Sequence, residues 1–358
     1  MRVALCSDTY HPIADGVSKH LVDFKAELER RGHKVRVYTV FSTNDGVFGL
    51  PSYRFPLYKE YRVGIPVYEL YRDMQRFQPD VVHIHTPFVL GTMGYRFARK
   101  RGIPTIGTYH TDFVNMNGTL NFPFVKSLLN LGFQYNMHLY SKLDAVVAPS
   151  KLTENFLSQF LPGRTTTIPV GINLRKFKFN ENKEDFYLFL GRLTKDKGVP
   201  ELLKASSILS DKKFKIAGTG PMRTTVEEWA RSHDNVEYLG YVSEDEKVDL
   251  LGRARLLVVP SRAETFGVVY VEAMASGTPV VGSQESREIG ILRDGFNGWL
   301  VKFGDERSLA SKIKEIERLD LSEIMKNAYA SSREYSIERT TEALEGLYGE
   351  LIEFKGKR

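Results

Sequence analysis

An α/β protein of two doubly wound units is predicted, and three observations predict it. Short apolar runs alternate with amphipathic stretches of helical period along residues 1–170, and the alternation resumes at Tyr187. This is the strand–helix order of open parallel sheets. Between the two series, Lys176 to Asp185 is polar, charged and without periodicity, the composition of a connection. The chain's 358 residues suffice for two cores.

Val3 to Cys6 reads as the first strand, being short and apolar. Val17, Leu21, Phe24 and Leu28 recur at helical spacing, which places a helix over Ser18 to Arg31 with Gly32 ending it. The loop between them, Asp8 to Ser18, holds Gly16, where a ligand could approach the backbone or the chain could simply turn. Val35 to Val40 is the next strand. Residues 53–77 interleave Tyr53, Phe55, Tyr58, Tyr61, Tyr68, Tyr71 and Phe77 with Arg54, Lys59, Arg62, Arg72 and Arg76. Within them Val67, Leu70, Met74 and Phe77 share helical spacing. Two readings stand: a basic amphipathic helix lying on anionic lipid, or a stripe packed on the sheet beneath solvated arginines.

After the strand Val81 to Ile84 come a helix from about Leu90 to Arg101, closed by basic residues that suit its negative end, and a strand over Ile103 to Thr108. That strand delivers Tyr109-His110-Thr111-Asp112 to its carboxyl end, where open parallel sheets bind ligands. His110 is therefore a candidate functional residue, with a structural role as the alternative. His83 and His85, read as alternating between strand faces, are assigned structural roles. Ala145 to Ala148 and Thr166 to Ile168 complete the first series.

Tyr187 to Leu190 opens the second series and leads into Gly191-Arg192-Leu193-Thr194-Lys195-Asp196-Lys197-Gly198. Arg192 and Lys197, presented at a strand's carboxyl end, could clamp a diphosphate; the alternative is a solvated turn in which Asp196 pairs with one of them. Phe214 to Ala217 runs into Gly218-Thr219-Gly220-Pro221, where Arg223 stands in place of a third small residue, so a nicotinamide dinucleotide is disfavoured. Val236 to Leu239 is followed by Val242 and by Ser243 with Glu246, a capping box. Leu256 to Val259 is a buried strand, and a helix runs from near Phe266 to Ser276 with Gly277 as a left-handed cap and Pro279 beyond. The amides of Phe266, Gly267 and Val268 at its start suit an anion. Glu264 precedes that anion site and Glu272 lies inside the helix. A carboxylate so placed would repel a bare phosphate, so Glu264 is expected to accept hydrogen bonds from hydroxyls beside it. Phosphate plus hydroxyls points to a nucleotide-sugar. Val280-Val281, a loop over Ser283 to Ile289 and further helices complete the chain.

A single cysteine, Cys6, excludes an internal disulfide framework and suits a reducing compartment. The amino-terminal apolar run is too short for a signal sequence and no eighteen apolar residues run together, so a cytoplasmic protein without a membrane span is expected. Residues 1–170 carry 20 Lys or Arg against 13 Asp or Glu, leaving 30 against 31 in the remainder, although the net charge is only +6. Such a lopsided distribution points to an anionic membrane surface or a phosphorylated substrate ahead of nucleic acid.

Taken together, the motifs resemble those of the family 4 retaining glycosyltransferases. The features are Glu264 and Glu272 as an E-x7-E pair within Pro-Ser-x3-Glu-x-Phe-Gly and Glu-Ala-Met-Ala-x-Gly-x-Pro-Val-Val, preceded in order by Tyr109-His110-Thr111-Asp112, Gly191-Arg192-Leu193 with Lys197-Gly198, and Gly218-x-Gly220-Pro221. The resemblance implies a GT-B fold, two Rossmann-like domains facing a central cleft. Residues 1–173 would form the acceptor-binding domain, 174–185 a linker, 186–336 the nucleotide-sugar-binding domain, and 337–358 a helix crossing back to the first. It also implies transfer of a hexose with retention. Arg192, Lys197 and the amides of Phe266, Gly267 and Val268 would hold the diphosphate, beside Gly218. Glu264 would take donor-sugar hydroxyls, Glu272 the ribose, and the Val242 backbone the base. Gly16 would approach the phosphate, and His110 the sugar near its 6-position. No Asp-x-Asp occurs, so no catalytic metal or other cofactor is expected.

Val82-His83-Ile84-His85-Thr86-Pro87-Phe88 and Thr108 to Phe113 look similar to members that glycosylate diacylglycerol or phosphatidylinositol, which would place the enzyme peripherally on the inner membrane face. A soluble sugar, sugar phosphate or cell-wall saccharide is the other acceptor class. A sugar-nucleotide epimerase and a non-catalytic nucleotide-sugar binder are the remaining readings. UDP- and GDP-sugars stay open as donors, and nucleic acid is not an expected partner.

Overall fold

The structure is a computed structural model and describes residues 1–11, 16–40, 46–55, 58–110, 123–262, 264 and 266–357. Two compact units make up the chain, Met1–Gly171 with Ile337–Arg358, and Ile172–Ser336.

Unit 1 begins with β1 (Arg2–Cys6), α1 (Gly16–Arg30), β2 (Lys34–Thr39) and β3 (Val47–Gly49). An antiparallel pair, β4 (Ser52–Phe55) and β5 (Tyr58–Gly64), stands apart from the main sheet. The unit continues through α2 (Tyr68–Phe77), β6 (Val81–Ile84), α3 (Val89–Arg99), β7 (Thr105–Thr108), α4 (Pro123–Tyr140), β8 (Ala145–Ala148), α5 (Lys151–Ser158) and β9 (Thr165–Thr167). Its seven-stranded sheet is parallel, in the order β3-β2-β1-β6-β7-β8-β9. Both faces are covered, and β1 shows how alternation serves them. Val3 and Leu5 pack with Leu21, Phe24 and Leu28 of α1, while Ala4 and Cys6 join Leu70, Met74 and Phe97 on the other side. Parallel strands buried on both faces read as continuous apolar runs, which is why β1 was legible.

Unit 2 contains β10 (Glu184–Leu190), α6 (Val199–Ile208), β11 (Phe214–Ala217), α7 (Arg223–Ser232), β12 (Val236–Gly240), α8 (Glu244–Arg253), β13 (Ala254–Val258), α9 (Val268–Ala275), β14 (Val280–Ser283), β15 (Gly298–Val301), α10 (Glu306–Ile316) and α11 (Ser322–Ser332). Its parallel sheet runs β12-β11-β10-β13-β14-β15. The last helix, α12 (Ile337–Gly356), returns to unit 1, where Ile337, Leu344 and Tyr348 pack in the core cluster shared with α1.

One expectation needs correcting, and one open alternative is decided. Residues 174–185 are not a free linker; they are laid on unit 2. Phe177 is buried, Phe179 packs on Tyr329 with ring centroids 5.0 Å apart, and Lys183 Nζ donates to the carbonyls of Gly252 at 2.8 Å and Ser276 at 3.0 Å and to Thr278 Oγ1 at 2.8 Å. The polarity of this segment is spent on backbone carbonyls, so composition alone misplaced the boundary, which falls after Gly171. In α2, Leu70 and Met74 have no exposed surface and Val67 and Phe77 pack against the same core, so the apolar stripe faces the sheet and is closed to lipid. Arg72 and Arg76 are exposed on its far side.

Candidate active site

The loop after β10 is fixed backbone to backbone against the loop after β11. Leu193 N–H donates to Thr219 O at 2.9 Å, and Met222 N–H to Leu193 O at 3.0 Å. A Cβ on Gly218 would lie 1.9 Å from Gly191 O, so only glycine permits this approach. The same loop docks on the segment after β13. A Cβ on Gly198 would meet Pro260 O at 2.4 Å, and Asp196 O accepts from Arg262 N–H at 2.7 Å and Ser261 Oγ at 3.2 Å.

The consequence of that docking is a pair: Lys197 Nζ lies 2.5 Å from Glu264 Oε1, with side chains only 19% and 12% exposed. The alternative in which Asp196 pairs with Lys197 or Arg192 does not occur. Arg192 is exposed and pairs with no carboxylate among the described residues. Both cations and Glu264 thus stand at the carboxyl ends of β10 and β13.

The helix α9 starts at Val268, just past Phe266, near which its start is expected; Gly267, its N-cap, takes a left-handed conformation (φ 87°) and so stands outside the helix. Phe266 and Gly267 therefore form the turn into α9, and Phe266 is anchored edge-on against Tyr335, centroids 5.6 Å apart. Its other end closes as expected, with Gly277 at φ 72° and Thr278 N–H donating to Ala273 O at 2.9 Å. Glu272 is buried and paired with Lys247 of α8, whose Nζ also lies 3.1 Å from Glu244 Oε2. Burial opposes the Lys247 charge, but Glu272 and Glu244 outweigh it and hold the ammonium's pKa above its ordinary value. Val242 sits half-buried just before the Ser243–Glu246 capping box that starts α8, a box formed as the sequence predicts.

In unit 1 the carboxyl ends of β6 and β7 gather histidines. His83 and His85 do not alternate between faces: two residues apart, they share one, and their ring centroids are 4.0 Å apart. His85 Nδ1 lies 2.9 Å from His110 Nε2. His20, one turn into α1, adds a fourth ring, 5.8 Å from that of His110. Burial pushes all four pKa values down, His83 to about 3 and His85 and His110 well below the usual imidazole value, so the rings are neutral. Gly16 opens α1, exposed, with nothing within 4 Å of where a Cβ would be. Thr111 and Asp112 lie outside the described residues, among which no cluster of three or more His, Cys, Asp or Glu could hold a metal ion.

Known proteins place these features. The family model "Glycosyltransferase Family 4" matches residues 14–176 and "Glycosyl transferases group 1" matches 172–335, which together take in every residue above. The chain is a family 4 glycosyltransferase. Among its curated relatives, the alpha-monoglucosyldiacylglycerol synthase of Acholeplasma laidlawii is 27% identical, covering 100% of this chain and 99% of its own. The protein of the same description from Streptococcus pneumoniae is 29% identical over 88% of this chain and 78% of its own. Among solved structures, Anabaena Alr3699/HepE in complex with UDP-glucose superposes with a TM-score of 0.75 at 18% identity, over 98% of this chain and all of the other. The two units are thus the Rossmann-like halves of a GT-B fold.

Two residues of the glycosyltransferase were missed in its sequence, and each left a trace. Lys247 interrupts the apolar face that Leu250 and Leu251 continue in α8. His20 precedes Phe24 by one turn on the buried face of α1 and stacks on it, centroids 5.6 Å apart. No helix among the described residues is long and apolar enough to cross a membrane.

Proposed function

We propose that this glycosyltransferase moves a hexose, with retention, from a nucleotide-diphosphate sugar to the hydroxyl of a membrane lipid, with UDP-glucose and diacylglycerol as the pair to test first. The observation that carries the reading is the convergence of Lys197, Glu264 and Arg192 at the carboxyl ends of β10 and β13. Departure of the leaving group places negative charge on a diphosphate, and preorganised cations and turn amides stabilise that charge most in a site closed to water. In this reading Arg192, Lys197 and the amides of Phe266, Gly267 and Val268 take the diphosphate, with Gly218 keeping their loop in place and Gly16 as a further contact to the phosphate. Glu264 accepts from sugar hydroxyls and Glu272 from the ribose. The Val242 backbone meets the base, and His110 meets the sugar. Unit 2 binds the donor and unit 1 the acceptor.

Support for the acceptor comes from the two relatives named for monoglucosyldiacylglycerol synthesis and from the basic character of residues 1–170. The enzyme then works at a membrane face, drawn there by charge. A thermal-shift panel of UDP-, GDP- and ADP-sugars, followed by transfer of labelled hexose to diacylglycerol in anionic vesicles, tests both halves. Stabilisation by one nucleotide-sugar, a lipid product with the donor's anomeric configuration and a rate indifferent to chelators are expected. No stabilisation by any nucleotide would sink the donor reading, and transfer only to a soluble saccharide would sink the lipid.

A further inference from the structure

The contact between His85 Nδ1 and His110 Nε2, 2.9 Å long, joins two neutral imidazoles, so one nitrogen donates and the other accepts. The far nitrogen of His85 decides which. His85 Nε2 is buried and meets no hydrogen-bond partner among the described residues. A buried N–H left without an acceptor is rarer in folded proteins than a bare acceptor site, so the proton of His85 belongs on Nδ1 and is donated to His110. His110 Nε2 accepts it, and the proton of His110 must then sit on Nδ1. That nitrogen is bonded to nothing among the described residues and belongs to a partly exposed ring just beyond β7.

The neighbours hold this arrangement still. His83, packed against His85, is pinned on both nitrogens, by Tyr348 OH at 2.6 Å and Thr108 Oγ1 at 2.7 Å. On the other side the His20 Nδ1–H donates to the Gly171 carbonyl at 3.2 Å. Neither ring offers His85 Nε2 a hydrogen bond.

The geometry points to His85 as a positioning residue that fixes His110 in its Nδ1–H tautomer, so that His110 presents a neutral N–H to an oxygen of the transferred sugar. A fixed tautomer matters because the other form would offer the sugar hydroxyl a bare lone pair in place of a donor. The inference rests on the sugar-binding role proposed for His110, and two experiments separate the two ideas. In the enzyme labelled with 15N-histidine, long-range proton–nitrogen spectra at neutral pH should place the His110 proton on Nδ1; a proton on Nε2 overturns the inference, whatever the enzyme transfers. In kinetics, His85→Leu should lower kcat on the order of 10–100-fold, leaving melting temperature and UDP affinity within about twofold. His85→Asn, whose amide nitrogen replaces Nδ1 as a donor, should restore most of the rate. Equal losses in the two variants, or an unchanged His110 tautomer in His85→Leu, would show a merely structural residue.

Discussion

Replacing Glu264 by Gln should tighten the binding of free UDP while abolishing transfer. As the protein stands, the cation proposed for the diphosphate is already engaged, Lys197 Nζ at 2.5 Å from Glu264 Oε1 in a largely buried setting. An incoming diphosphate must share or displace that partner, and the carboxylate also repels it. A hydrogen bond to a charged group contributes about 1.5–3 kcal/mol, and a neutral amide keeps about half of that. Loosening Lys197 should therefore favour UDP by about 1 kcal/mol, roughly fivefold in Kd. UDP carries no transferred hexose, so the weakened hydroxyl acceptor does not enter this measurement; it enters the transfer rate, which should fall at least ~100-fold. Titration calorimetry on wild type, Glu264→Gln, Lys197→Met and the double variant completes a cycle; with Lys197 gone only relief of the carboxylate's repulsion remains, so the two changes should not add. An unchanged or weaker affinity in Glu264→Gln would refute the competition and with it the assignment of Lys197 to the diphosphate.

Three further outcomes are expected. Asp8, buried beside Thr86 and the α3 amino terminus, has its carboxyl pushed up from 3.8 to about 6 by burial, against smaller opposing hydrogen bonds. The unfolded chain ionises this group first, so its contribution to stability is full below about pH 3.8 and is lost as pH rises through about 6. Asp8→Asn should therefore gain on wild type by about 3 kcal/mol in urea unfolding between pH 4 and pH 7; a pH-independent difference would contradict this. Gly218→Ala must move a backbone carbonyl 1.9 Å from its new Cβ, so a loss of about 2 kcal/mol or more and weakened UDP binding should appear together in thermal shift. Tyr348→Phe strips a partner from buried His83 and should cost about 1–3 kcal/mol, read by chemical denaturation.

What was legible in the sequence were features whose cause lies within a few residues. The Ser243–Glu246 capping box and the glycine cap at Gly277 are local chemistry, and both formed as read. The order of parallel strands followed from apolar runs of the right length. Lys197 and Glu264 were both legible as site residues but not as partners, since they meet only because Gly198 lets one loop settle on Pro260. Lys247 was invisible for the same reason: its partner Glu272 is on another helix. The apolar stripe of α2 fitted lipid and sheet equally, because periodicity records that a face is apolar and not what covers it. His83 and His85 share a strand face because side chains alternate with a period of two.

The route of the chain through Gly171 and Ile337 makes unit 2 an insertion with a closed seam. At its edge, Ile172 N–H donates to Tyr335 O at 2.9 Å and Ile172 bridges Ser336, so its two ends already touch. On the unit 1 side a Cβ on Gly171 would lie 2.8 Å from the Cα of Ile337, so the cut ends of that unit abut as well. Splicing Gly171 to Ile337 would thus yield a continuous unit 1 that keeps α12 over its sheet, whereas stopping at Gly171 would strip Leu344 and Tyr348 from its core. Unit 2 is thus a cassette with both its ends at one seam, and its removal would leave the rest of the chain continuous.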